Sequence, residues 1–144
     1  MAVSGGFDPV HVGHIRFLKA ARKLGDELVI LLNNDNWVHD KKGYVFMPEE
    51  DRKVILESLR FVDRVVISRH KKNDKDRTVS RELAALKPTA AFFANAGDAQ
   101  KLPPVEDAAC KRLGIKPVFL DVGEKRHSSS VLAKEVAKKL RGKA

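Results

Sequence analysis

The sequence predicts an α/β fold in which a doubly wound parallel sheet of about five strands carries helices on both faces. Two observations lead to this prediction. Short runs rich in Val, Ile, Leu and Phe recur along the chain, and each is bounded by polar or glycine-containing segments. Between these runs, apolar residues recur at helical spacing. Such alternation is typical of a parallel sheet, because each crossover between parallel strands needs a helix.

Five runs are interpreted as buried strands because they are short and mainly apolar. In chain order they cover residues 2–4, 28–32, 62–67, 90–94 and 116–120. The helical patterns between them and after the last strand lie at residues 14–24, 54–59, 79–86, 105–109 and 132–140. Pro48 and Pro104 precede the second and fourth of these patterns, as prolines near helix starts do, and Gly25 and Gly114 are predicted to cap helix ends.

The composition fits one domain spanning residues 1–144, since 43% hydrophobic residues suffice for a single buried core. No apolar run approaches the roughly 18 residues of a membrane span, and the N-terminus lacks a secretory signal pattern. We therefore expect a cytoplasmic protein without membrane contact. Cys110, the single cysteine, excludes an intrachain disulfide and is predicted to be a small core residue.

The formal charge of +9 favours polyanionic partners, but it does not distinguish nucleotides, RNA and acidic lipid. Part of this excess belongs to the last turns of the C-terminal helix, where cations suit the helix dipole. Residues 69–77 alternate in sign and are predicted to form a solvated loop. Aromatic residues make up only 6% of the chain, so the stacking platforms of an RNA-binding surface are not expected.

Polar segments follow four of the five predicted strands. They cover residues 5–14, 33–35, 95–98 and 124–130. In open α/β sheets, ligands bind outside the carboxyl ends of the strands, where the strand order reverses. The sequence therefore predicts a binding site at this edge of the sheet.

The first of these segments predicts a phosphate site. Gly5 and Gly6 allow a sharp turn and a close approach to a ligand, and a helix opening near Gly13 offers free N–H groups to an anion. His11 and His14 are three residues apart and share a face if the helix already includes His11. Two imidazoles there could donate hydrogen bonds to the α-phosphate of a nucleoside triphosphate as stabilisers of the transition state.

A general base is not required if the acceptor is a phosphate monoester, because its second pKa near 6 leaves an oxyanion at neutral pH. The reaction then depends on alignment and on neutralisation of charge. The residues predicted to supply positive charge and hydrogen bonds are Lys41 and Lys42 in a loop after the second strand, Arg52 on the next helix, and Ser128, Ser129 and Ser130 before the last helix.

Each feature also has an ordinary structural explanation. His14 shares a face with apolar residues and could be a core histidine, while three serines before a helix are often an N-cap. A zinc site is not expected, because His39, His70 and His127 form no recognisable spacing with His11 and His14.

Taken together, these residues resemble the cytidylyltransferase-like nucleotidyltransferases, whose signature is a glycine turn, Phe-Asp, and then His-x-Gly-His. The resemblance spans most of the chain and is greatest to the glycerol-3-phosphate cytidylyltransferase and heptose-phosphate adenylyltransferase branch. The segments that carry it are Gly6 to Asp8, His11 to His14, residues 21–26, Asn34 and Asp35, residues 41–43, residues 52–56, residues 61–63, and Gly97 and Asp98.

The resemblance implies a Rossmann-like fold, Mg²⁺ dependence and a homodimer. It implies transfer of a nucleoside monophosphate from CTP or ATP to a phosphorylated polyol or sugar, with release of pyrophosphate. The implied catalytic residues are His11, His14 and Lys42. The implied nucleotide-binding residues are Gly5, Gly6, Phe7, Asp8, His11, His14, Asp98, Ser128, Ser129 and Ser130. Contacts to phosphate or acceptor are implied for Lys41, Lys42 and Arg52.

The segment before the last helix departs from the cytidylyltransferase pattern Arg-Thr-x-Gly-Ile-Ser-Thr. Lys125 and Arg126 are candidates to replace its arginine. The run Ser128-Ser129-Ser130 instead looks like pantetheine-phosphate adenylyltransferase, which is therefore an alternative for the substrate. A nucleotide- or RNA-binding module without catalysis is the alternative of another class, and the pair of histidines argues against it.

Overall fold

The computed structural model describes residues 1–96, 101–121 and 129–142. Five strands form one parallel sheet in the order β3-β2-β1-β4-β5. Their bounds are β1 Ala2–Gly5, β2 Val29–Leu32, β3 Arg64–Ile67, β4 Phe92–Ala96 and β5 Lys116–Leu120. The predicted doubly wound α/β fold is confirmed, and each observed strand overlaps its predicted run.

Six helices accompany the sheet in the described part of the chain. They are α1 Val12–Arg22, α2 Asp35–Lys42, α3 Glu49–Glu57, α4 Ser80–Ala85, α5 Pro104–Leu113 and α6 Ser129–Arg141. Within the described ranges, we find no helix with both the length and the apolar character that spanning a membrane requires.

The sheet buries a separate apolar core on each face. One core joins the sheet to α1 and α3 and includes Val3, Phe17, Leu18, Ile30 and Leu56. The other joins the sheet to α4 and α5 and includes Ala2, Leu31, Leu83, Phe93 and Cys110. Cys110 is fully buried, as the sequence predicted for a small core residue. β1, at the centre of the sheet, is therefore buried on both faces.

Helix α2 is the element that the sequence did not reveal, and the prediction that Lys41 and Lys42 lie in a loop was wrong. Both lysines lie in its last turn. The Asn34 side chain begins α2 by accepting a hydrogen bond from the Trp37 N–H, and Gly43 ends it. Val38 is its one buried side chain, so α2 has no apolar period to detect.

Two of the described helices end at a glycine with a left-handed backbone, and only one of these two glycines was predicted. Gly114 caps α5 with φ of 72°, as predicted, and Gly43 caps α2 with φ of 84°. The predicted cap at Gly25 was wrong, because α1 ends at Arg22 with Lys23 in right-handed geometry at the C-cap. The Arg22 guanidinium instead donates to the Gly25 carbonyl oxygen at 2.7 Å.

The strand order reverses beside β1. The chain runs outward through β2 and β3, then crosses to β4 and β5 on the other side of β1. The segment that leaves the carboxyl end of β1 therefore lies at the switch point of the sheet, where such folds bind ligands. The fold thus puts the predicted phosphate loop where a ligand is expected.

We expect the substitution Gly114→Ala to lower the free energy of unfolding by about 1 kcal/mol, because a Cβ disfavours the left-handed backbone. No atom lies within 4 Å of the added Cβ, so the loss isolates backbone strain. Urea denaturation measures it. Gly142→Ala, at a position without a positive φ, is the control, and an equal loss in both variants would contradict this explanation.

Candidate functional site

The loop between β1 and α1 turns at Asp8 and Pro9, and its residue with a left-handed backbone is Phe7, not a glycine. Phe7 has φ of 49°, whereas neither Gly5 nor Gly6 has a positive φ. The predicted sharp turn at the glycines was therefore wrong. Gly5 serves a different need, because a Cβ there would lie 2.9 Å from Cε2 of the Phe7 ring. Gly5 makes room for this buried ring, and the ring in turn supports the histidine that follows in α1.

His11 and His14 form a stacked pair at the start of α1. Their ring centroids are 3.8 Å apart with an interplanar angle of 24°. The Phe7 ring meets the His14 ring edge-on, with 4.8 Å between centroids. His11 is the N-cap of α1 and His14 lies in its first turn, so the pair meets although His11 precedes the helix.

The helix cap fixes how both rings are protonated. Nδ1 of His11 accepts a hydrogen bond from the Gly13 N–H at 3.1 Å, and Nδ1 of His14 accepts one from the His11 N–H at 3.2 Å. A nitrogen that accepts an N–H carries no hydrogen of its own, so each neutral ring carries its hydrogen on Nε2. Both rings are therefore Nε2–H donors.

His14 stays neutral across the physiological range. Burial lowers its pKa from 6.5 to about 3, and electrostatic interactions with His11 and Lys42 lower it further. A neutral imidazole at pH 7 donates a hydrogen bond but supplies no full positive charge. The ring is therefore suited to stabilise an oxyanion as a dipole, and unsuited to act as a cationic acid.

Asp8 ties the site to the loop between α2 and α3. Its carboxylate is almost fully buried and accepts the Phe46 N–H at 2.8 Å and the Met47 N–H at 2.7 Å. Its carbonyl oxygen accepts a hydrogen bond from Nζ of Lys42 at 2.9 Å. Burial lowers the pKa of Lys42, while Asp8 partly offsets the shift. Both carboxylate oxygens of Asp8 are thus engaged with backbone, which indicates a structural use of the side chain.

Arg52 was predicted to contact phosphate, yet its side chain is fully buried. Nη1 donates to the carbonyl oxygens of Gly6 and Asn33, both at 2.7 Å. Nε donates to the Met47 carbonyl oxygen at 2.9 Å, and Nη2 pairs with the Asp35 carboxylate at 2.6 Å. The guanidinium therefore joins α3 to three other segments of the chain, at Gly6, at residues 33–35 and at Met47, and this placement does not fit a direct phosphate contact.

Lys41, in the last turn of α2, places its ammonium group over the Trp37 ring. Its Nζ is 4.9 Å from the centroid of the Trp37 ring, and the Arg77 guanidinium carbon is 5.1 Å from the same ring. The Trp37 indole N–H donates to the Arg77 carbonyl oxygen at 2.9 Å. Sequence reasoning missed Trp37 and Arg77, although the single tryptophan so soon after β2 was a usable signal.

Residues 69–77 form the predicted loop and are mostly exposed, but one buried histidine anchors it. His70 is 2% exposed, and its Nδ1 and Nε2 lie 2.7 Å from the Ser68 hydroxyl and 2.8 Å from the Thr78 carbonyl oxygen. The Asn34 amide donates to the His70 carbonyl oxygen at 2.8 Å. The loop is therefore tied to the N-terminus of α2.

Several predicted site residues are not placed. Asp98, Lys125, Arg126 and Ser128 lie outside the described residues. Ser129 and Ser130 open α6, in keeping with the predicted start of the last helix. Among the placed residues, the structure brings Lys42 and Arg52 together with the predicted residues of β1, of the loop after it and of α1.

A cavity of about 290 Å³ lies beside α2. Its lining residues are Asp35, Asn36, His39, Asp40, Val45 and Lys72, and none of them belongs to the histidine pair. Across the described ranges, no three His, Cys, Asp or Glu side chains gather where they could hold a metal ion.

Comparison with known proteins identifies the family. The family model described as cytidylyltransferase-like matches residues 2–113. The chain is 39% identical over 118 residues to the FAD synthase of Pyrococcus abyssi, which covers 81% of this chain and 70% of that enzyme. It is 33% identical over 133 residues to the bifunctional protein HldE of Methylobacillus flagellatus, which covers 91% of this chain but 26% of HldE.

A solved structure shares the fold. It is the lipopolysaccharide core biosynthesis protein from Thermoplasma volcanium, with a TM-score of 0.67, 24% identity, and coverage of 85% of this chain and 94% of that chain. At this identity the likeness supports the fold alone. The sequence matches carry the family assignment, and the predicted resemblance is confirmed. The chain belongs to the cytidylyltransferase-like family and is a nucleotidyltransferase.

Proposed function

We propose that the chain transfers AMP from ATP to the phosphate of FMN, forming FAD and pyrophosphate. The observation that carries this proposal is the pair of Nε2–H donors at the N-terminus of α1, at the switch point of the sheet. The similarity to a FAD synthase over 81% of the chain supports the choice of nucleotide and acceptor. FMN carries a phosphorylated polyol chain, and a phosphorylated polyol or sugar is the acceptor class that the resemblance implies.

The reaction needs no general base from the protein. An oxygen of the FMN phosphate attacks the α-phosphorus of ATP, a new P–O–P bond forms, and the bond from the α-phosphorus to the oxygen that bridges to the β-phosphate breaks. That bridging oxygen keeps the electron pair and leaves on pyrophosphate. Because the second pKa of a phosphate monoester is about 6, the attacking oxygen is already ionised at neutral pH.

His11 and His14 stabilise the charge that builds on the α-phosphate oxygens during this displacement. Their Nε2–H groups donate from rings whose orientation the helix cap already fixes, so little reorganisation accompanies the reaction. The N-terminus of α1 adds its partial positive charge. Lys42 supplies a cation near His14, which explains why it lowers the pKa of that ring.

Nucleotidyltransferases of this family typically use a divalent metal ion. Around the histidine pair, both carboxylate oxygens of Asp8 already accept backbone N–H groups, and the described residues form no cluster of three potential metal ligands. We propose that the ion is Mg²⁺ and that it enters with the triphosphate as part of the substrate. Bound to phosphate oxygens and water, it neutralises charge on the leaving pyrophosphate.

A sugar phosphate is the second candidate acceptor. The similarity to HldE extends over 91% of the chain, a larger share than the similarity to FAD synthase covers. Two alternatives from the sequence analysis also stay predictions: CTP as the nucleotide in place of ATP, and phosphopantetheine as the acceptor in place of FMN. The implied homodimer and the contacts proposed for Lys41, Asp98, Ser128, Ser129, Ser130, Lys125 and Arg126 stay predictions.

The substrate proposal is tested by pyrophosphate release over a panel. ATP and CTP are each combined with FMN, glycerol-3-phosphate, a heptose phosphate and phosphopantetheine, with Mg²⁺ present. We expect ATP with FMN to give a kcat/KM at least about 100-fold above every other pair, and FAD to appear in step with pyrophosphate. Equal or higher turnover of a sugar phosphate would overturn the choice of acceptor. Nucleotide binding without turnover of any pair would indicate a non-catalytic module.

The role of the histidines is tested by separating their two ring nitrogens. In His11→Asn and His14→Asn, the amide oxygen replaces Nδ1 as the acceptor of the capping N–H, but the Nε2–H donor is lost. We expect nearly unchanged stability and a kcat lower by about 100-fold or more. His→Gln variants, which reach as far as Nε2, should retain more of the rate.

The matched control for these variants is His39→Asn. His39 is exposed on α2 and lines the cavity beside that helix, away from the histidine pair. It should leave the rate of AMP transfer unchanged. Wild-type rates in both Asn variants at positions 11 and 14 would show that the pair caps the helix without taking part in the reaction.

The lowered pKa of His14 predicts a pH dependence of stability. Between its unfolded pKa of 6.5 and its folded pKa of about 3, the unfolded chain binds a proton that the folded chain does not. The contribution of His14 to stability is therefore complete above pH 6.5 and falls as the pH falls. From pH 7 to pH 5, wild type should lose about 2 kcal/mol more than His14→Asn in urea denaturation. Equal losses would mean that His14 is protonated in the folded protein.

A further inference from the structure

Arg52, on α3, contacts the loop between β1 and α1 that leads to the histidine pair. The guanidinium of Arg52 is 0% exposed and donates from α3 to the carbonyl oxygen of Gly6, the residue directly before Phe7. The ring of Phe7 lies edge-on against His14. The guanidinium is therefore connected to the histidine pair through the Gly6 carbonyl group, the adjoining Phe7 and the contact of the Phe7 ring with His14.

The same guanidinium fixes the other wall of the site. Its second Nη1 hydrogen bond goes to the carbonyl oxygen of Asn33 at the end of β2, and Nη2 pairs with Asp35 in the first turn of α2. Helix α2 includes Lys42, whose Nζ donates a hydrogen bond to the Asp8 carbonyl oxygen. Arg52 thus links the histidine loop to the helix that provides the nearby cation.

Most N–H groups of the Arg52 guanidinium already donate to protein atoms, so few are left to bind a ligand. A guanidinium has five N–H groups, and those of Arg52 make four hydrogen bonds, to Gly6, Asn33, Met47 and Asp35. With no exposed surface, the side chain has no route to a phosphate in this arrangement. A buried cation is costly unless it is paired and hydrogen-bonded, and Asp35 supplies the pairing charge at 2.6 Å.

We propose that Arg52 is a positioning residue for AMP transfer: from inside the fold it fixes the backbone of the loop that carries His11 and His14, and it does not bind the substrate. The planar fork of arginine is needed for this task, because one side chain must reach two carbonyl oxygens from the same nitrogen and a carboxylate from another. A lysine would keep the charge but could not make this set of bonds.

The test compares Arg52→Lys, Asp35→Asn and wild type. A displaced histidine pair loses transition-state stabilisation while nucleotide binding survives, since a misplacement of about 1 Å can cost about 100-fold in rate. We expect kcat of Arg52→Lys to fall by about 100-fold, with the Kd for a non-hydrolysable ATP analogue within about twofold of wild type. Asp35→Asn, which keeps an acceptor oxygen, should lose about tenfold or less in kcat. Lys53→Ala, at the neighbouring half-buried position on α3, is the control.

A second readout does not depend on the substrate. The ring resonances of His11 and His14 in a ¹H–¹³C NMR spectrum report the stacked arrangement directly. They should shift in Arg52→Lys and Asp35→Asn, but not in Lys53→Ala. The kinetic arm rests on the proposed function, whereas these spectra do not. If wild type showed no transfer to any acceptor, the proposed function would fail while the spectra still tested the position of the rings.

Two results would overturn the proposal. A rise in the Kd for the ATP analogue that matches the loss of kcat/KM in Arg52→Lys would identify a direct phosphate contact. Unchanged kcat and unchanged histidine resonances would show that the loop holds its position without Arg52. If Arg52→Lys does not fold, Asp35→Asn carries the same comparison, because it loosens the guanidinium while keeping its other three partners.

Discussion

Two backbone N–H groups at the start of α1 determine the chemistry available to the site. Each is donated to Nδ1 of a histidine, and this leaves the ring hydrogen on the opposite nitrogen. The helix therefore caps itself with the same side chains that it presents for catalysis. Burial of His14 then keeps that ring neutral. A site built this way stabilises a charged transition state with fixed dipoles, and it leaves proton transfer to the acceptor's own ionisation.

The loops around this pair are held by buried polar groups. Asp8 and Arg52 are both nearly inaccessible; Asp8 accepts hydrogen bonds from backbone N–H groups, and Arg52 donates to three backbone carbonyl oxygens and to the Asp35 carboxylate. His70 does the same for the loop after β3. Because an unpaired buried polar group is costly, these bonds specify one arrangement of the loops. The apolar cores fix the sheet, and the buried polar groups fix the edge of the sheet where the reaction is proposed.

The sequence predicted what depends on local periodicity. All five strands, the cap at Gly114 and the placement of the histidine segment after β1 follow from apolar runs, glycine and spacing. It could not reveal α2, which buries only Val38 and is defined by its caps. Nor could it reveal that Arg52 points inward, because that depends on carbonyl oxygens up to 46 residues away in the chain. An arginine in a helix gives the same pattern whether it meets a ligand or the protein's own backbone.

The protonation state of the two histidine rings is the most direct test of how this site works. Long-range ¹H–¹⁵N NMR of histidine-labelled protein at pH 7 distinguishes a hydrogen on Nε2 from one on Nδ1 and from the doubly protonated ring. We predict that His11 and His14 both carry hydrogen on Nε2 alone. A hydrogen on Nδ1 of either ring would contradict the capping bonds, and with them the alignment of donors on which the proposed reaction depends.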